Sequence, residues 1–326
     1  MSTPDTNLPS ADTPVEVALP VSAAARQSTL KTMLVLIRRE FWEHRALWIT
    51  PLIVGGLLVL TAFPIHLGND VVFGAHPADF ASAENRLGLF TLILWGQSLP
   101  QYLVMVIVVS FYLLDCLYLE RKDRSILFWK SMPVSDAHTV ISKLLVAVVV
   151  VPLGVYLTAM VSGVLFQAIW TARTAFGSLP HITVGWDTLA WLKVQALMFY
   201  GLIVSMLWYA PMAAFLLLVS AWARKNVFLW ATLPPVIAII VERAAFGTRY
   251  TADLLKYRSW TGIWDALLEQ PITPEMGHGR VVSLADLFDN IPMSKAFLNV
   301  DLWLGLVVAA LLVFAAIRIR RYRDDT

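Results

Sequence analysis

The stretch Phe111–Leu145, FYLLDCLYLERKDRSILFWKSMPVSDAHTVISKLL, closes one long apolar run and opens another. Between the runs, Arg121, Lys122, Arg124, Lys130 and Lys143 stand against only Glu120, Asp123 and Asp136. Such a basic excess beside two apolar runs predicts a cytoplasmic loop, because lysine and arginine stay on the side from which a membrane protein is inserted. Within it, Ile126, Trp129 and Met132 recur at threefold spacing, which predicts a short helix over Ser125–Met132. Pro133 has no amide proton with which to continue that helix, and Ser135 stands where a hydroxyl caps the next one. A helix held in this way is a rigid knob beneath the membrane.

The rest of the composition agrees with a membrane protein. Of 326 residues, 58% are hydrophobic and only 15% charged, too apolar a balance for a soluble globular chain. The net charge of +2 is nearly neutral, and the basic residues cluster at the ends of apolar runs instead of on one broad face, which argues against nucleic acid as a partner. The single cysteine, Cys116, can form no intramolecular disulfide. Residues 1–29 hold several prolines, serines and acidic residues without the basic start and apolar run of a signal peptide, and read as a disordered cytoplasmic tail.

From Leu30 to Trp48, Leu30, Met33, Leu34, Ile37, Phe41 and Trp48 fall on one helical face and Lys31, Arg38, Arg39 and Glu43 on the other, predicting an amphipathic helix along the inner headgroups. Spans are expected at about 46–65, 101–119, 144–169, 195–222, 226–247 and 301–317, each long enough for a hydrocarbon core of about 30 Å. The second closes a run that starts at Leu87 and is expected to kink at Pro100, with Asp115 near its inner end. Arg224-Lys225 marks an inner turn between the fourth and fifth spans. Arg318, Arg320, Arg321 and Arg323 hold the end of the sixth inside, so both termini are cytoplasmic. Between the last two spans, amphipathic pieces such as ADLLKYRSWTGIWDALLEQ predict helices lying on, or dipping into, the outer face.

The chain carries no G-x-x-x-x-G-K-[ST], no H-E-x-x-H and no G-x-S-x-G, so it is expected to be no enzyme and to hold no cofactor. His66, Asp70 and His76 match no compact metal-ligand spacing, and no metal is expected. Pro234-Pro235 removes two backbone donors in mid-span and Glu242-Arg243 falls in the outer leaflet, so these four residues make a possible gate.

Glu120, Arg121 and Ser125 form an E-R-x-x-x-S pattern that leads into the short helix and a P-V-S turn, Pro133–Ser135. With the leading amphipathic helix, this resembles the permease subunits of ABC exporters of the second type. The resemblance implies an all-α integral membrane protein, with residues 30–326 forming one six-span permease domain in a bacterial-type inner membrane. It also implies a coupling helix between spans 2 and 3 and re-entrant helices between spans 5 and 6. The implied partners are two copies of a separate ATPase subunit, a second permease subunit in a homodimer, and the bilayer. Glu120, Arg121, Asp123, Arg124, Ser125, Phe128, Trp129 and Met132 would make the ATPase contact, with the two aromatic residues as anchors. Among the charged members, Glu120, Arg121, Asp123 and Arg124 are expected to pair with one another. The apolar spans suit an apolar or amphipathic cargo. The alternatives are an ion-gradient-driven secondary transporter, whose usual midplane charges and internal repeat the sequence does not show, or a membrane scaffold that transports nothing.

Overall fold

The computed structural model describes residues 29–63, 83–123, 125, 134–175, 186–268 and 294–322. Every regular element among them is helical. In chain order these are α1 (Thr29–Glu43), α2 (Ala46–Leu60), α3 (Ala83–Asp115), α4 (Tyr118–Lys122), α5 (Asp136–Leu145), α6 (Val151–Ala175), α7 (Thr188–Trp222), α8 (Val227–Phe246), α9 (Tyr250–Lys256), α10 (Gly262–Leu267), α11 (Lys295–Leu298) and α12 (Val300–Tyr322). Two π-turns, Val146–Val150 and Tyr257–Thr261, join α5 to α6 and α9 to α10.

Among the described residues, five helices are long and apolar enough to cross a membrane, and up to six crossings result if the bent pair α1 and α2 counts as one. That pair is the weak point of the expected six-span plan. Alone, α2 has 15 residues and reaches only about 22 Å, short of a hydrocarbon core. The expected spans at 195–222 and 301–317 are cores of longer helices, and that at 226–247 matches α8 to within a residue at each end. Asp187 accepts a hydrogen bond from the Ala190 amide at 3.0 Å and so starts α7 well before the expected boundary at 195. At Pro100, α3 continues as one helix; it breaks only after Asp115, whose side chain is exposed.

The long helix α7 forms the axis of the bundle. On one side it packs along α12, burying Leu217 and Ala316 in a core shared with Leu113 and Leu117 near the α3–α4 break and Val146 and Val151 at the α5–α6 junction. Nearer the other end, Val204 and Trp208 pack against Ile263, Ala266 and Leu302. The helices α2, α3 and α6 form the opposite layer. At Gly55 a Cβ would lie 3.2 Å from Thr158 Cγ2 and 3.3 Å from Gln101 Oε1, so its absence brings α2 close to both partners. There Gln101 Nε2 donates to Ser162 Oγ at 2.9 Å, an interhelical bond inside an apolar layer.

Little of α8 is buried. Val227 and Ala231 pack on α7, while Leu233, Val236, Ile237, Ile240 and Val241 are exposed, as expected of a helix facing hydrocarbon. The segment α9–α10 lies beside the bundle, not beyond its end. Trp208 Nε1 donates to Arg258 O at 3.0 Å, and Trp208 is fourteen residues, about 21 Å, from the α7 terminus at Trp222. The α9–α10 part of the connection between the last long helices therefore packs against the side of α7.

Candidate functional site

At the end of the bundle that carries α1 and the last turns of α12, charged side chains from four distant segments meet out of solvent. On α5, Asp136 and Lys143 are seven residues apart and so share one helical face. Ser135 fixes the start of that helix by accepting the His138 amide at 3.3 Å, in the role its position predicts. Lys143, only 1% exposed, donates to Glu40 Oε1 of α1 at 2.7 Å and lies 3.1 Å from Glu120 Oε1 of α4. The other oxygen of Glu120 accepts from Arg320 Nη1 of α12 at 2.6 Å, and Arg320 Nε donates to Asp136 Oδ1 at 3.1 Å. Tyr112 completes the group by donating its hydroxyl to Glu40 Oε2 at 2.8 Å. Arg39, which bonds Glu43 at 2.7 Å, stands 3.8 Å from Glu120.

Each acid of the cluster has a cation beside it: Glu40 has Lys143, Glu120 has Lys143 and Arg320, and Asp136 has Arg320, which is what allows such burial, since an uncompensated ion taken from water costs several kcal/mol. His44 sits beside the cluster, its ring edge-on to Tyr112 with centroids 4.9 Å apart and its Nε2 3.7 Å from Glu40. Burial holds the His44 imidazole below its ordinary pKa, with Glu40 opposing that shift and Lys143 adding to it. Glu40, Glu43 and His44 bring ligand atoms within 4.8 Å of one another. The Lys143 ammonium already stands where Glu40 would receive a cation, so the donor set fits an ion-pair cluster better than a metal centre.

A second contact fastens the same corner to α7. Ser220 Oγ accepts from the amides of both Leu117 and Tyr118 at 3.1 Å, covering the N–H groups exposed by the α3–α4 break. Arg121 Nη2 donates to the carbonyls of Ser220 at 2.6 Å and Ala223 at 2.8 Å, placing a cation on the end of α7 where the helix dipole favours it.

The expected site residues thus divide. Glu120 and Arg121 are brought in, but they do not pair: neighbours on a helix point about 100° apart, and each finds partners elsewhere in the chain. The expected cluster of Glu120, Arg121, Asp123 and Arg124 is replaced, for Glu120, by Lys143 and Arg320. Asp123 is exposed at the end of α4, and Ser125 Oγ donates to Glu120 O at 3.2 Å. Arg124, Phe128, Trp129 and Met132 lie outside the described residues, as do His66, Asp70 and His76.

At the other end, α8 runs unbroken through Pro234-Pro235. Glu242 does not pair with Arg243; it accepts from Thr248 Oγ1 at 2.7 Å and from the amides of Tyr250 at 2.5 Å and Thr251 at 2.8 Å, closing the turn into α9 around the left-handed Gly247.

Glu40, Tyr112, Asp136, Lys143, Arg320 and Ser220 were not expected at the site. One signal existed for Glu40, which falls within the α1 arc formed by Met33, Leu36 and Ile37, where an acid needs a buried partner.

The buried cluster joins α1, α4, α5 and α12 through ion pairs. No family model, curated protein or solved structure matches this chain.

Proposed function

We propose that the chain is the membrane-spanning subunit of an ATP-driven exporter, powered by a separate ATPase that docks on the loop after α4. The observation that carries this reading is the Glu120–Lys143 ion pair, with Arg320 and Asp136 joined to it. Glu120 and Lys143 flank the basic loop on either side, and each is tied at once to α1 or α12. A displacement of the loop would therefore reach α1 through Lys143 and α12 through Arg320, without relying on any flexible connection. Arg121 adds the end of α7 to the same load path.

Two such subunits, each with one loop, would face a pair of ATPases in a cytoplasmic membrane with both termini inside. The cargo is an amphipathic molecule. Apolar side chains dominate the spans, but Gln97 and Gln101 lie buried one turn apart on α3, each with a side-chain oxygen that accepts no hydrogen bond. A buried amide oxygen without a donor costs about 1–3 kcal/mol, which a donor on the cargo would recover once the layer opens.

The test is purification of the full chain with co-expressed candidate ATPases, followed by imaging of the complex and measurement of turnover. ATPase density beneath residues 120–143, and turnover uncoupled from transport by Trp129→Ala, are the expected results. A protein that recruits no ATPase and transports only down an ion gradient would replace this reading with that of a secondary transporter.

A further inference from the structure

The inward face of α1 is committed to Glu40 and its partners, but the outward face is not. Taken at 100° per residue, Leu30, Leu34, Arg38, Lys31, Trp42 and Val35 occupy one continuous arc, and Arg38 at its centre lies about 200° from Glu40. All six are exposed, Leu34, Val35 and Trp42 by two thirds or so (66%, 67% and 68%). Arg45 follows, exposed, at the bend. The arc carries cations and large apolar groups side by side and no acid: Glu40 is buried on the opposite face and Glu43 is bonded to Arg39. The 61° bend to α2, closed by Trp48 Nε1 donating to Phe41 O at 3.2 Å, turns this arc off the bundle axis, so that it would lie along a membrane surface instead of crossing it.

We propose that the outward face of α1 is a binding surface for anionic phospholipids, with Lys31, Arg38 and Arg45 on the headgroup phosphates and Leu34, Val35 and Trp42 among the upper acyl carbons. A phosphate-rich leaflet satisfies both halves of the arc together, since long basic side chains reach up to the headgroups while apolar neighbours enter below. Because the same helix presents Glu40 to Lys143 on its other side, lipid occupancy also sets how firmly the buried cluster is held. Lipid binding here requires only that the chain sit in a membrane, and it holds whether or not an ATPase docks below.

The test uses the purified full chain, titrated with phosphatidylglycerol and with phosphatidylcholine and followed by native mass spectrometry. Amide exchange of residues 29–43 is followed in parallel in phosphatidylcholine nanodiscs with and without phosphatidylglycerol. Phosphatidylglycerol should be retained preferentially and should slow exchange across α1. Lys31→Gln, Arg38→Gln and Arg45→Gln should each weaken its retention about fivefold, while Arg38→Lys keeps it. Arg224→Gln with Lys225→Gln, a larger loss of charge elsewhere at the same end, should leave retention unchanged. Equal retention of the two lipids, or an equal loss in the Arg224/Lys225 control, would overturn the assignment. So would protection of α1 that appears only with a co-purified protein and ignores phosphatidylglycerol, since an acidic protein would then be the occupant.

Discussion

Glu120 Oε2 accepts from Arg320 Nη1 at 2.6 Å across 200 residues of chain, and both side chains are buried. This pair, with Lys143 on the other oxygen of Glu120, ties α4, α5 and the last long helix together at one corner. Buried ion pairs add little net stability when complete, because desolvation offsets most of the attraction, but removing one member strands its partner.

Lys143→Met is therefore expected to destabilise the protein by about 3–5 kcal/mol, because it leaves Glu40 buried without its cation and Glu120 with Arg320 alone. Glu40→Gln in the same chain should recover part of that loss. Thermal unfolding of the single and double variants in one detergent measures the coupling; strictly additive losses would show that the two side chains do not interact.

Ser220→Ala should cost about 1–3 kcal/mol, since it leaves the amides of Leu117 and Tyr118 buried without that acceptor. Faster amide exchange confined to residues 116–122 is the expected signature. Ser220→Thr, which keeps the hydroxyl, is the control for loss of the acceptor.

Gly305 faces the guanidinium of Arg258, which lies 4.3 Å over the Trp208 ring and donates to Asp301 O at 3.0 Å. A Cβ at Gly305 would fall 2.6 Å from Arg258 Cζ, so Gly305→Ala must push the cation off the ring. The variant should lose about 0.5–2 kcal/mol from that contact and loosen α9–α10 in amide exchange. With Arg258→Met already in place the sign should reverse, and alanine should then gain up to about 1 kcal/mol from its better helix propensity.

His44 has its pKa held below the ordinary 6.5 by burial, so the folded protein binds this proton less readily than the unfolded chain does. Its contribution to stability is complete above that value and is lost as pH falls from about 6.5 toward the lower folded value. Comparing unfolding midpoints of the native chain and His44→Asn between pH 7.5 and 5.5 isolates this group from the nearby carboxylates. The native chain should lose more stability over the interval; parallel curves would place the acid sensitivity elsewhere.

The sequence by itself determined that the chain is an all-helical, multi-span protein and roughly where its long helices lie. It also marked Ser135 as a cap and the segment after Phe246 as amphipathic. These features depend on apolar content and on spacing within a few residues, which act locally and add along a helix. Boundaries were less legible: the amide-capping Asp187 extended α7 beyond its apolar core, and α2 proved too short to count alone. The partners of Glu120 were not legible at all. Local reading paired it with Arg121, three bonds of backbone away, whereas Lys143 and Arg320 reach it only after α5 and α12 pack against α1 and α7. Likewise, the polar face assigned to α1 contained Arg38, Arg39 and Glu43, while the acid that matters most to its packing, Glu40, turned inward. Periodicity records that a residue is polar; only the tertiary structure decides whether water or a buried counter-charge will satisfy it.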